Sequence, residues 1–152
     1  CCSVVAVMRD LEQAIRQLPG HTLALCRGEA VVLSDKRGVA PLADFIREGR
    51  SFPGYAAADR VVGKASAMLL IKVGVTAVYA GSLSQAAADL LEAHGVYAQY
   101  HTLVPGIMNR DKTAPCPMEQ AVADITGIEE GVGRIQQRLQ ELRAGNPAAP
   151  KV

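Results

Sequence analysis

The run Asp59-Arg60-Val61-Val62-Gly63-Lys64-Ala65-Ser66 brings an acid, two cations and a glycine together. Read as the start of a helix over 59–73 with Asp59 as N-cap, it places Arg60 and Lys64 four apart on one face. Like charges at that spacing disfavour a helix by about 0.2–0.5 kcal/mol. The helix dipole disfavours cations at the same end. A bound anion would relieve both penalties. Gly63 would allow its close approach, and the free N–H groups of the first turn would hold it. In the plain alternative, Lys64 runs its stem along the core beside Met68 and Ile71, its ammonium reaches water, and Arg60 pairs with a carboxylate. A phosphate-binding P-loop is excluded. The glycine it needs five residues before Gly63 is Ala58, and Ala65 follows the lysine.

A second group runs from Asn109-Arg110-Asp111-Lys112 to Pro115-Cys116-Pro117-Met118-Glu119. Pro117 suits the first position of a helix, so Cys116 falls at or beside its N-cap and Glu119 where a capping carboxylate belongs. A helix N-terminus and the nearby Arg110 and Lys112 would favour a thiolate, making Cys116 a candidate nucleophile or redox centre. In the plain alternative, Cys116 plugs a helix start and Glu119 caps it. Pro-Cys-Pro-Met also looks like the start of a deaminase Pro-Cys-x-x-Cys motif, but Glu119 stands at the second cysteine and the segment follows the wrong strand.

Metal chemistry has little support. His21, His94 and His101 are dispersed, and none of Cys1, Cys2, Cys26 and Cys116 forms a Cys-x-x-Cys pair. No metal site, cofactor or disulfide framework is expected. Cys26 reads as a small core residue. The formal net charge is +1 and aromatics make up 4% of residues, so no nucleic-acid surface is expected. No apolar stretch suits a membrane span, and nothing before residue 20 reads as a signal peptide. A lipid-modified Cys1 is set aside because the charged helical pattern begins at Arg9 and Asp10. A cytoplasmic protein without membrane partners is the expectation.

The elements that must position these groups follow from periodicity. Residues 4–18 read as an amphipathic helix, 22–27 and 30–34 as a hairpin turning at Gly28-Glu29, and 41–48 as a short helix. Residues 49–58 read as a loop, 59–73 as a helix that is apolar on all sides after Lys64, and 75–80 as a strand. A helix over 84–94, a strand over 96–103, a polar loop over 105–115, a helix from about residue 116 and another over 129–143 complete the pattern. The order predicts one α/β domain over 1–144, three-layered αβα with a mixed sheet, and a disordered Pro/Ala tail over 145–152.

The run 59–67, the run Gly74-Val75-Thr76-Ala77-Val78-Tyr79-Ala80, the segment Gly38–Leu42, and Val104-Pro105 through Asn109-Arg110 to Cys116-Pro117-Met118-Glu119 resemble the prokaryotic family called domain of unknown function 1893. The likeness spans roughly residues 20–125. It implies a cytidine-deaminase-like fold and no established role. Laid on this chain, the deaminase His-x-Glu falls on Val62 and Lys64, and the later cysteines fall in the cysteine-free stretch 81–87. Neither zinc binding nor proton shuttling is then expected.

Three functions follow. The first is a zinc-less, non-catalytic domain that binds a small anionic, nucleotide-like ligand in the former active-site cleft, through Asp59, Arg60, Gly63, Lys64, Asn109, Arg110, Cys116 and Glu119. The second is an enzyme of another class, with Cys116 and Lys64 as its chemical groups. The third is a structural or regulatory subunit, such as a homo-oligomer assembled through its sheet edge and helices.

Overall fold

A five-stranded mixed sheet carries the molecule. The computed structural model describes residues 4–109 and 112–144. The tail expected at 145–152, and Arg110 and Asp111 of the polar loop, lie outside the described residues. The elements are α1 (Val4–Gln17), β1 (Leu23–Arg27), β2 (Ala30–Ser34), α2 (Ala40–Arg47), β3 (Ala56–Val62), α3 (Lys64–Val73), β4 (Ala77–Ser84), α4 (Gln85–Ala93), β5 (Tyr97–Val104), α5 (Pro117–Ala121) and α6 (Ile128–Arg143). The strand order is β2-β1-β3-β4-β5. β1 runs antiparallel to both β2 and β3, whereas β3, β4 and β5 are parallel. The fold is of the α/β class. The expected hairpin is present, with Arg27 opposite Ala30 across its turn.

Helix α1 covers one face of β1, β3 and β4 with Leu11 and Ala14. The other face meets α3 and α4, with α2 flanking α3 and α6 stacked on it. This placement accounts for the composition of α3: Ala65, Ser66, Ala67, Met68, Leu69, Leu70 and Val73 are all buried. A helix covered on several sides has no face to give to polar residues. Contact with α6 is close at Gly131, where a Cβ would collide with the Met68 sulfur.

One sequence expectation fails here. Residues 56–62 form the central strand, where a loop and a helix start were expected. Asp59 is therefore a mid-strand residue, paired with Leu23 of β1 and Ala80 of β4, not an N-cap. Ala56, Ala57 and Ala58 have weak intrinsic preference for strands, but in the sheet centre they are at most 1% exposed. Close packing of helices on both faces, not propensity, selects such small residues. The strand must also exist for topological reasons, since a parallel β-α-β crossover into β4 needs a strand ahead of α3.

Strand β5 forms one edge of the sheet. Tyr97, Tyr100 and Leu103 on it are exposed, and residues 97–104 include no Lys, Arg, Asp, Glu or Pro. No helix among the described residues is long and apolar enough to cross a membrane.

Candidate functional site

At the carboxyl end of β3 the chain passes through one residue, Gly63, and enters α3 at Lys64. Gly63 is the N-cap and offers no side chain to the orphan N–H groups of the first turn. A carboxylate from elsewhere takes them. The backbone N–H of Lys64 donates to Glu119 Oε1 at 2.8 Å, and that of Ala65 donates to Glu119 Oε2 at 2.8 Å. The pair also places a negative charge at the positive end of the helix dipole. The close fit favours glycine. A Cβ on residue 63 would lie 2.5 Å from Glu119 Oε1 and 2.8 Å from Ile107 Cγ1.

The loop between β5 and α5 delivers Glu119. Its arms are joined by a bridge between Met108 and Pro115 and by the Cys116 N–H donating to Ile107 O at 3.0 Å. Asn109 staples the tip, its Oδ1 accepting the Thr113 N–H at 3.0 Å and its own N–H donating to Ala114 O at 2.9 Å. Asn109 is thus a loop-shaping residue. Cys116 is the N-cap of α5 and Pro117 opens it, as the sequence suggested. Glu119 departs from expectation. It caps α3 instead of its own helix, and among the described residues no side-chain cap is made at the start of α5.

Arg60 and Lys64 do not form the expected pair. Arg60 lies on β3 and its Nε donates to His21 O at 2.8 Å, on the turn before β1. Lys64 is the first residue of α3 and its Nζ donates to Ala123 O at 3.2 Å, beyond α5. The argument from two cations on one helix face is overturned, because that face begins only at Lys64. Asp59 between these groups is 8% exposed. Burial pushes its carboxyl up to about 7, against the backbone N–H groups of Arg60 and Val61 and the charge of Arg60.

Of the two cysteines described, Cys26 is fully buried in β1, and burial, with the nearby Asp10 charge, raises its thiol pKa. Cys116 is half-buried. Among the described residues no three of His, Cys, Asp and Glu gather where they could hold a metal.

The sequence reading missed Asp44. It lies in α2, 5% exposed, with Lys36 Nζ 2.7 Å from Oδ2 and Arg47 Nη2 and Arg143 Nη2 at 2.8 and 3.1 Å from Oδ1. Burial raises its carboxyl pKa, but Lys36 and Arg143 outweigh that and hold it at about 2. Only the i, i+3 pair with Arg47 was visible in sequence.

Comparisons with known proteins agree with this architecture. The family model described as "Domain of unknown function (DUF1893)" matches residues 14–139. The crystal structure of a DUF1893 family protein from Thermotoga maritima superposes with a TM-score of 0.74. It covers 93% of this chain and 92% of its own at 21% identity, a likeness of fold. No curated protein matches.

Proposed function

Because the chain belongs to the DUF1893 family, we propose that it is a zinc-less, non-catalytic domain that binds a small anionic ligand at the amino end of α3. One observation carries the reading: a two-oxygen anion, the Glu119 carboxylate, already sits on the Lys64 and Ala65 N–H groups above a glycine with no room for a side chain. Carboxylates and phosphates present the same pair of oxygens, and helix N-termini accept both. Glu119 is then a resident stand-in, and a ligand binds by exchange with it. The resemblance to deaminases supports the location, since their catalytic groups stand at the start of the corresponding helix. Val62 and Lys64 at those positions can neither bind zinc nor carry a proton as a carboxylate does.

Chemical rescue tests the proposal. Glu119→Ala empties the seat and lowers the melting temperature. Acetate, phosphate or a nucleoside monophosphate should restore it saturably, but should not restore Gly63→Ala/Glu119→Ala, in which the added methyl group narrows the seat. If none of these anions stabilises Glu119→Ala more than the double variant, Glu119 is a strut only and the reading fails.

A further inference from the structure

The carboxyl ends of α2 and α6 flank a surface cleft of about 500 Å³ lined by Arg47, Gln136, Leu139, Gln140 and Arg143. Asp44 organises its cationic side. One buried carboxylate is shared by Lys36, Arg47 and Arg143 at 2.7, 2.8 and 3.1 Å. Among the described residues those three cations make no other ion pair. One negative charge thus answers three positive ones, and the cluster keeps a surplus of two. Each arginine approaches Asp44 through Nη2, on the one oxygen Oδ1. A guanidinium carries five N–H donors in a planar fork, so most of each fork remains for a second acceptor. Gln136 is also held in place: its Nε2 donates to Ala43 O at 2.9 Å, which leaves its side-chain carbonyl as an acceptor for a hydroxyl. Leu139 gives the lining an apolar element.

We propose that this cleft binds a phosphate monoester borne on a small organic group. A monoester carries nearly two negative charges at neutral pH, which answers the two arginines, Arg47 and Arg143, that line the cleft. Its oxygens accept from planar guanidinium forks in the geometry such anions favour. Leu139 supports the organic portion. The arginines are oriented before binding because both are tied to one oxygen of a carboxylate that the fold has buried, which lowers the ordering cost. The cleft shares no residue with the Glu119 seat, and the proposal stands without that reading.

Calorimetric titration with phenyl phosphate tests it on the wild type, Arg47→Gln, Arg143→Gln and Glu119→Gln. Saturable binding to the wild type is expected. Each arginine variant should bind about tenfold more weakly, the effect of one lost charge-assisted contact, and by the same factor when Glu119→Gln is added, because the two seats share no residue. Binding should also weaken below about pH 6, as the monoester takes up its second proton. Arg143→Lys, which keeps the charge but not the fork, should fall between Arg143→Gln and the wild type. Absence of saturable binding overturns the proposal. So does binding that neither arginine-to-glutamine substitution weakens and that responds only to Glu119→Gln, which would move the ligand to the other seat.

Discussion

The backbone N–H of Lys64 is bound by the side chain of Glu119 at 2.8 Å, from a residue 55 positions later. Most helices take their cap from the residue just ahead of them. Here that residue is Gly63, and the cap arrives from another helix. The β5–α5 loop, α5 and α3 are thereby joined at one carboxylate.

Gly63→Ala tests that joint. The new methyl would meet both Glu119 and Ile107, so the carboxylate must leave its two N–H groups. A loss of about 1–3 kcal/mol is expected from crowding and the lost contacts together. Denaturant titration checks it. In Gly63→Ala/Glu119→Ala the two losses should sum to less than the separate values, because they share one interaction.

Asp59 should make stability fall as pH rises. Its folded pKa of about 7 lies above the ordinary carboxylate value. Its contribution is therefore full below about pH 4, where both states hold the proton. It declines as pH rises through about 7, where the buried carboxyl must finally ionise. Asp59→Asn should flatten the dependence of melting temperature on pH between those values and stabilise the protein at pH 8 by an amount on the order of 1–3 kcal/mol. A variant curve parallel to the wild-type curve would show that Asp59 does not control this limb.

Asp44 works in the opposite sense. Its pKa is depressed to about 2, so its contribution is present above the ordinary carboxylate range and is lost as pH falls through about 2. Asp44→Asn should cost about 1–2 kcal/mol at neutral pH, discounted for the exposure of its cationic partners. It should also remove part of the acid-induced drop in melting temperature, which thermal melts from pH 2 to 5 would read.

Gly131→Ala should destabilise, against the usual rule that alanine improves a helix interior. The added methyl meets Met68 where α6 lies on α3. A cost of about 1–3 kcal/mol is expected. Met68→Ala should make the glycine substitution less harmful than it is alone, as a thermodynamic cycle would measure.

Iodoacetamide should modify Cys116 before Cys26. Cys116 is half-buried, whereas Cys26 is fully buried with a thiol shifted away from thiolate. Peptide mapping over time reads the order. Equal rates in the folded protein would contradict the burial described for β1.

How much of this was legible in the sequence depended on whether a segment carried its own pattern. The hairpin, β4, α4, β5 and α6 each did, through alternation, turn residues or helical spacing. The second half of α3 announced its burial by being apolar all round. β3 did not: three alanines resemble a helix or a loop, and Val61-Val62-Gly63-Lys64 can be read into a helix. The same confusion misplaced the site. With Asp59 as an N-cap, Arg60 and Lys64 are neighbours on one helix face, whereas the strand sends them to His21 and Ala123. Cys116 ahead of Pro117 was legible because that preference is local. The direction of Glu119 was not, since its spacing suits a cap on its own helix equally well. Nor was the group around Asp44, whose partner Arg143 is 99 positions away.

The three alanines of β3 also fix a length. Ala57 packs in the cluster that contains Ala65 and Met68, while Ala56 and Ala58 pack in clusters with Leu11 and Ala14 of α1. Both helices therefore rest almost directly on the peptide backbone, separated from it by little more than a methyl group. The spacing of the layers is a single dimension that serves two purposes. A larger side chain at Ala57 would lift α3 and, with it, the Lys64 and Ala65 amides, while Glu119 stays on α5. The alignment of that two-oxygen contact is thus set by the volume of one methyl group on the strand below.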